Sequence, residues 1–293
     1  MKYLAGLGLM LCCAQASAFE LPLFAKEARE QGYTLPSPYG VSIGAMHVDQ
    51  DVVIDKIAFS GLKFLGNPLP DNLIDISAAP GSQDSQVFTV RGDVWVLPFL
   101  NLYAVGGKMK GTSATRVTIN KLNLPTSSFF PKKVAINRSF DFQLDLDGDL
   151  FGAGVVVAGG TGNWFTLVDA SLTETRLTVI DGEIDAFVLS PRVGYNFTDM
   201  GVPLKVWVGG MYQDVEQDLT GYIHKLDLGP QLGALLGLVD KDRQGRFEVQ
   251  QHLCTPWNTL VGFQYQFKQD FSLIGEAGLG GRSSAMLSLE YRF

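Results

Sequence analysis

The chain is poor in cysteine. It has three Cys in 293 residues, and two of them, Cys12 and Cys13, fall in a segment expected to be removed. Only Cys254 would remain, so no intramolecular disulfide can form, and an exported chain must be stabilised in another way. Long apolar runs are also missing. Beyond residue 18 no stretch approaches the ~18 residues of a membrane-spanning helix. Basic charge is in deficit: 23 Lys and Arg stand against 30 Asp and Glu, a formal net charge of −7. That balance gives no field to attract a phosphate backbone and excludes a basic nucleic-acid binder. The charged fraction, 18% against 46% hydrophobic residues, is too low for a disordered chain.

What is present begins with an address. Residues 1 to 18 read MKYLAGLGLMLCCAQASA: one Lys, a short apolar core from Leu4 to Cys13, and the small-x-small triplet Ala16-Ser17-Ala18. This is the pattern of a secretory signal peptide, cleaved before Phe19. Leu11 precedes Cys12, where a lipoprotein signal needs a small residue. The segment from 19 to 38, with Phe24, Ala28 and several charges, reads as a periplasmic N-terminal segment holding a turn or two of helix, at the barrel mouth or free of it.

From residue 39 onward the chain alternates. Trp257, Thr259, Val261, Phe263, Tyr265 and Phe267 share one parity, against Asn258, Leu260, Gly262, Gln264, Gln266 and Lys268. Ala285, Leu287, Leu289, Tyr291 and Phe293 oppose Ser284, Ser288, Glu290 and Arg292, with Met286 the exception. Successive strand side chains point to opposite faces, so each segment is a strand with one apolar face. The apolar faces carry aromatics at their ends, as interfacial girdles require, and the chain ends on Tyr291-Arg292-Phe293. In the leader, the strand rhythm and this terminal aromatic, the sequence resembles the Gram-negative outer-membrane β-barrel proteins, over residues 39–293. The resemblance implies an all-β fold, a closed antiparallel transmembrane barrel in the outer membrane with long extracellular loops. It also implies contact with outer-membrane lipids, and that the barrel assembly machinery reads Tyr291 and Phe293 as an assembly signal.

Ten strands are expected, near 40–59, 86–97, 100–110, 141–158, 164–177, 183–197, 203–216, 257–268, 271–279 and 283–293; counts of eight or twelve stay open. Short turns at Pro98-Phe99, 159–163, 199–202 and Gln269-Asp270 would face the periplasm. Long connections at 61–85, 111–140 and 217–256 would face outward, with two short outer ones at 178–182 and 280–282. The long loop 217–256 is distinctive, because Asp227 to Val239 is unusually apolar and Gln231 to Val239 is long enough for a short helix, a candidate lid or contact surface.

If apolar residues face lipid, the lumen charges are Arg91, Asp93, Asp145, Asp147, Asp149, Arg192, Lys205, Glu276, Glu290 and Arg292, with Trp95, Tyr103 and Trp207 also candidates for the interior. They form either a salt-bridged plug or a narrow polar conduit with a charged constriction. Asp145-Leu146-Asp147-Gly148-Asp149 lacks the Gly position and distal Glu of a calcium loop. Ten strands and this length are similar to the outer-membrane aspartyl-type proteases, but Ala45, Tyr222 and Gln250 stand two residues before His47, His224 and His252, where those enzymes have Asp. No Gly-x-Ser-x-Gly elbow occurs, and His224, His252 and Cys254 are too loosely spaced for zinc. The sequence therefore implies no cofactor or metal and names no catalytic residue. Its functional classes are a channel or transporter for a small solute, a structural or surface-contact barrel acting through its outer loops, and an outer-membrane hydrolase.

Overall fold

In the computed structural model, the described residues are 21–64, 67–69, 74–122, 134–178, 180–225 and 240–293. The expected signal peptide and the apolar run at 227–239 lie outside them. A helix α1 (Ala25–Glu30) precedes strands β1 (Tyr39–Ser60), β2 (Lys63–Phe64), β3 (Asn67–Pro68), β4 (Ile74–Ala78), β5 (Gly81–Leu97), β6 (Leu100–Leu122) and β7 (Val134–Asp145). Then follow β8 (Gly148–Thr161), β9 (Trp164–Leu177), β10 (Asp181–Asn196), β11 (Leu204–Tyr222), β12 (Arg246–Leu253), β13 (Trp257–Lys268), β14 (Phe271–Gly280) and β15 (Arg282–Arg292).

Antiparallel pairing closes a ring of ten: β1, β5, β6, β8, β9, β10, β11, β13, β14, β15 and back to β1. Tyr39 and Phe293 exchange backbone hydrogen bonds of 3.1 and 3.0 Å, so the first and last strands seal the seam of this ring. Outward side chains within this ring form an apolar belt. It includes Ile43, Val90, Leu102, Val157, Val168, Val193, Val208, Val261 and Leu287, all exposed. Trp257 and Phe267 bound the belt on β13; ten residues at ~3.4 Å, tilted by ~40°, give a height of ~26 Å, the thickness of an outer-membrane apolar band. At the inner edge, Tyr39, Phe293, Tyr291, Phe271 and Phe267 follow one another at centroid distances of 4.8–6.0 Å. Phe187, Tyr212 and Trp257 follow one another at 6.5 and 5.3 Å at the outer edge. Immediately above them the outward residues become charged: Lys108, Asp149, Glu174, Asp185 and Asp214.

The connections expected to be long outer loops are largely strand. β5 starts at Gly81, β6 runs to Leu122, β11 to Tyr222, and β12 occupies 246–253. The expected loop 217–256 is thus corrected at both ends, because these segments find ladder partners above the belt. β12 pairs with β1 on one side and β11 on the other, taking over the place that β13, β14 and β15 fill lower down. The outer part closes through eight strands: β1, β5, β6, β7 running into β8, β9, β10, β11 and β12. Eight strands leave just enough interior for side chains. Val52, Phe59, Phe142, Leu144, Val215, Leu219, Phe247 and Val249 fill it as a buried core, with Phe142 edge-on to Phe247 at 6.2 Å. On its outer surface Arg116 donates to Asp141 at 3.0 Å. This hydrogen bond and the adjacent carboxylate charge hold the guanidinium pKa above its ordinary value.

The N-terminal segment is tied to the inner end. Leu23 N–H donates to the Val96 carbonyl at 2.9 Å, and Trp95 N–H to the Pro38 carbonyl at 2.8 Å. Ala25 is buried while Phe24 is exposed.

Candidate functional site: the barrel lumen

In the ten-stranded part, the residues that alternate with the apolar belt face inward. β5 contributes Arg91 and Asp93, β10 Arg192, β11 Lys205, β14 Glu276, and β15 Glu290 and Arg292. Two clusters result. In the first, Arg292 bonds Asp93 at 2.9 Å and Glu290 at 2.8 Å, and its Nε donates to the Ser37 carbonyl at 3.2 Å. Asn101 donates to Asp93 at 2.6 Å. Arg91 reaches Asn101 at 3.4 Å and lies 3.6 Å above the Tyr103 ring, whose hydroxyl donates to Asp169 at 2.7 Å. Tyr103 has room because Gly154 sits opposite it on β8; a Cβ there would overlap the ring. In the second cluster, Arg192 forms a bidentate pair with Glu276 at 2.7 and 2.9 Å, and Trp207 donates its indole N–H to the same carboxylate at 2.8 Å. Bidentate geometry strengthens this pair.

Asp145, Asp147 and Asp149 require a correction: they stand on the outer face. Phe142, Leu144 and Leu146 turn inward to the core of the outer part and leave the three Asp outside. Asp149 bonds Lys108 at 2.6 Å. Asp145 and Asp147 line an external groove of ≈370 Å³ with Asp84, Gln86, Lys110 and Thr112. Tyr291 and Phe293 lie in the inner aromatic row on the outside. His252 accepts or donates a 2.7 Å bond with Asp55 on the exposed face, and Cys254 is a free, exposed thiol. Among the described residues no three His, Cys, Asp or Glu are grouped to hold a metal.

Sequence reasoning did not single out Asn101, Asp169 or a polar layer at the outer end of the lumen. There Gln217 donates to Gln83 at 2.9 Å, Gln251 to Gln217 at 2.8 Å, Gln50 to Gln83 at 3.3 Å, and Gln251 to Ser113 at 3.4 Å. These groups come from β1, β5, β6, β11 and β12, so the bonds cross the interior. Gln83, Gln217 and Gln251 are 3%, 2% and 2% exposed. Below the layer, inward-facing Ser42, Gly44, Thr89, Val105, Gly152 and Ser288 all keep partial exposure. The lumen therefore keeps open space along part of the belt, with Asn101, Ser190 and Leu260 buried in its wall, and is filled above it.

No family model and no curated protein matches the chain. Among solved structures it is similar to the outer membrane protein OprG from Pseudomonas aeruginosa, at 9% identity, a TM-score of 0.38, and coverage of 88% of this chain and 98% of that one. An outer membrane channel from Pseudomonas putida F1 matches at 10% identity and a TM-score of 0.34, covering 88% and 96%. A Pseudomonas aeruginosa FadL homologue matches at 10% identity and a TM-score of 0.31, covering 89% and 93%. The barrel itself rests on the strand pairings of this chain, whose ladder closes through ten strands.

Proposed function

We propose that the protein is an integral outer-membrane channel for small solutes, held closed at its outer end by the glutamine layer and the apolar core above it. The observation that carries this reading is the contrast within one lumen. Inward Ser42, Gly44, Thr89, Val105, Gly152 and Ser288 in the belt keep solvent-accessible surface, while Asn101, Ser190 and Leu260 beside them are buried, and above the belt Gln83, Gln217, Gln251 and the apolar core are buried together. A barrel with only a structural role needs no hollow section, and a polar wall is costly unless water or solute meets it. The solid outer part favours a second reading, a surface-contact barrel whose exposed cap is the working surface.

Conductance separates the two. The mature chain, refolded in planar bilayers, is expected to give rare, brief steps from a mostly closed state. Complete silence of a correctly folded barrel, even at high voltage, would remove the channel reading and leave the cap.

The terminal aromatics support a role in assembly. Phe293 stacks between Tyr39 and Tyr291 and lies where the seam closes. Phe293→Ala is expected to lower the fraction of chain reaching the heat-modifiable, membrane-inserted form severalfold in cells. An unchanged inserted fraction would end the assembly-signal assignment.

A further inference from the structure

The lumen wall is not balanced in charge, and the surplus is cationic. Every lumen carboxylate is engaged: Asp93 and Glu290 by Arg292, Glu276 by Arg192, Asp169 by the Tyr103 hydroxyl. Two cations are not. Lys205 forms no ion pair or hydrogen bond among the described residues. Arg282 is the sharper case. It stands where β13, β14 and β15 end beneath β12, at the boundary between the hollow and the solid lumen. It is 3% exposed, and among the described residues no Asp or Glu pairs with it. Among the described residues its Nη2 meets only the Met211 sulfur at 3.2 Å, a weak acceptor, and its Nη1 has no partner.

Asn258 lies beside it, donating through Nδ2 to the Arg282 carbonyl at 2.8 Å. Asn258 is 6% exposed, and its Oδ1 is likewise without a partner among the described residues. Asn258 pairs with Met211 in the β11–β13 ladder, so the guanidinium, reaching Met211, ends on the row Asn258 occupies. A desolvated guanidinium without a counter-ion is unfavourable, and an unsatisfied acceptor beside it adds to the cost. Both are relieved by one kind of ligand: an oxyanion that also carries a proton donor, its negative oxygen accepting from Nη1 and its O–H donating to Oδ1.

We propose that Arg282 and Asn258 form an anion subsite at the closed end of the lumen, and that the solute class is a small oxyanion bearing a hydroxyl. The subsite rests on the channel reading for its purpose but not for its binding. Inorganic phosphate is the probe, because at neutral pH it carries both charged oxygens and a hydroxyl. Thermal unfolding of the full mature barrel in micelles is followed with phosphate, and with sodium chloride at equal ionic strength. Phosphate should raise Tm, chloride should not, and Arg282→Met should lower apparent phosphate affinity about tenfold, the loss of a charge-assisted pair. In phosphate-free buffer R282M should melt no lower than the parent, since the charge it removes has no counter-ion. Arg116→Met, on the outer surface, should leave the phosphate response intact.

A lower Tm for R282M together with an unchanged phosphate response would overturn the subsite and leave the orphaned atoms to a buried water only. Where R282M does not fold, Arg282→Lys decides: a retained but weaker phosphate response supports the site, and a response equal to the parent's opposes it. Phosphate binding by a silent barrel would remove the channel and keep the subsite; conduction without phosphate binding would do the reverse.

Discussion

Phe247→Ala should turn a mostly closed barrel into a leaky one. Phe247 is 1% exposed, edge-on to Phe142, and packed over Gly221, where a Cβ would strike its ring. It links β12 to β7 across the interior of the eight-stranded part, so its ring holds together two elements that come from distant stretches of chain. Truncating a buried Phe costs about 3–5 kcal/mol. If the cap moves between a packed and an opened state, and only the packed state uses this contact, 3 kcal/mol shifts that equilibrium by about a hundredfold. The measurement is open probability in planar bilayers, with the lipid-facing Phe151→Ala as the control that removes an equal ring without touching the cap. A Phe247→Ala barrel that runs as folded on a heat-modifiability gel and conducts no more than the parent would show that the cap is not the barrier.

The ten-stranded ring was legible because the membrane writes a strong pattern. Apolar residues at every second position, aromatics at strand ends and short inner turns all follow from one solvent boundary. Strand ends at Trp164, Leu177, Trp257, Lys268 and Phe271 coincide with those expected. The cap was not legible for a related reason: the meaning of the pattern reverses at the membrane edge. Along β8, the odd residues from Phe151 to Val157 face out and are apolar. Along β7 odd residues still face out, but they are Asp141 and Asp145, and the apolar even residues Phe142 and Leu144 face in. Backbone geometry is continuous from one strand to the next, whereas the surroundings change from lipid to water. No local residue marks that change, so Asp145, Asp147 and Asp149 read as lumen charges. β12 carried a signal that could have been found, since Phe247, Val249 and Leu253 alternate with Arg246, Glu248 and His252. Gln251 interrupts the apolar face, and its reason appears only when Gln217, Gln83 and Ser113 arrive from three other strands. Long-range hydrogen bonds of that kind leave no periodicity in the sequence.

Glu276 should be the most costly single residue to remove from the lumen wall. Its carboxylate takes two bonds from Arg192 and one from Trp207, and the Arg192 and Glu276 side chains are only 12% and 7% exposed. Glu276→Ala strands a nearly buried guanidinium and an indole N–H at once. Breaking a buried pair by removing one partner typically costs about 3–5 kcal/mol, whereas replacing both partners with apolar groups of similar volume is close to neutral. Arg192→Met with Glu276→Leu should therefore recover most of the loss, short of about 1 kcal/mol for the orphaned Trp207 N–H. Urea unfolding of the refolded barrel in lipid micelles, run as a double-mutant cycle, measures the coupling. Additive losses across the cycle would mean that the pair is solvated through the hollow lumen and holds little of the wall together. Strong coupling would mean that the wall is braced by its own charges, leaving the carboxylates spoken for and the lumen's remaining pull to Lys205 and Arg282.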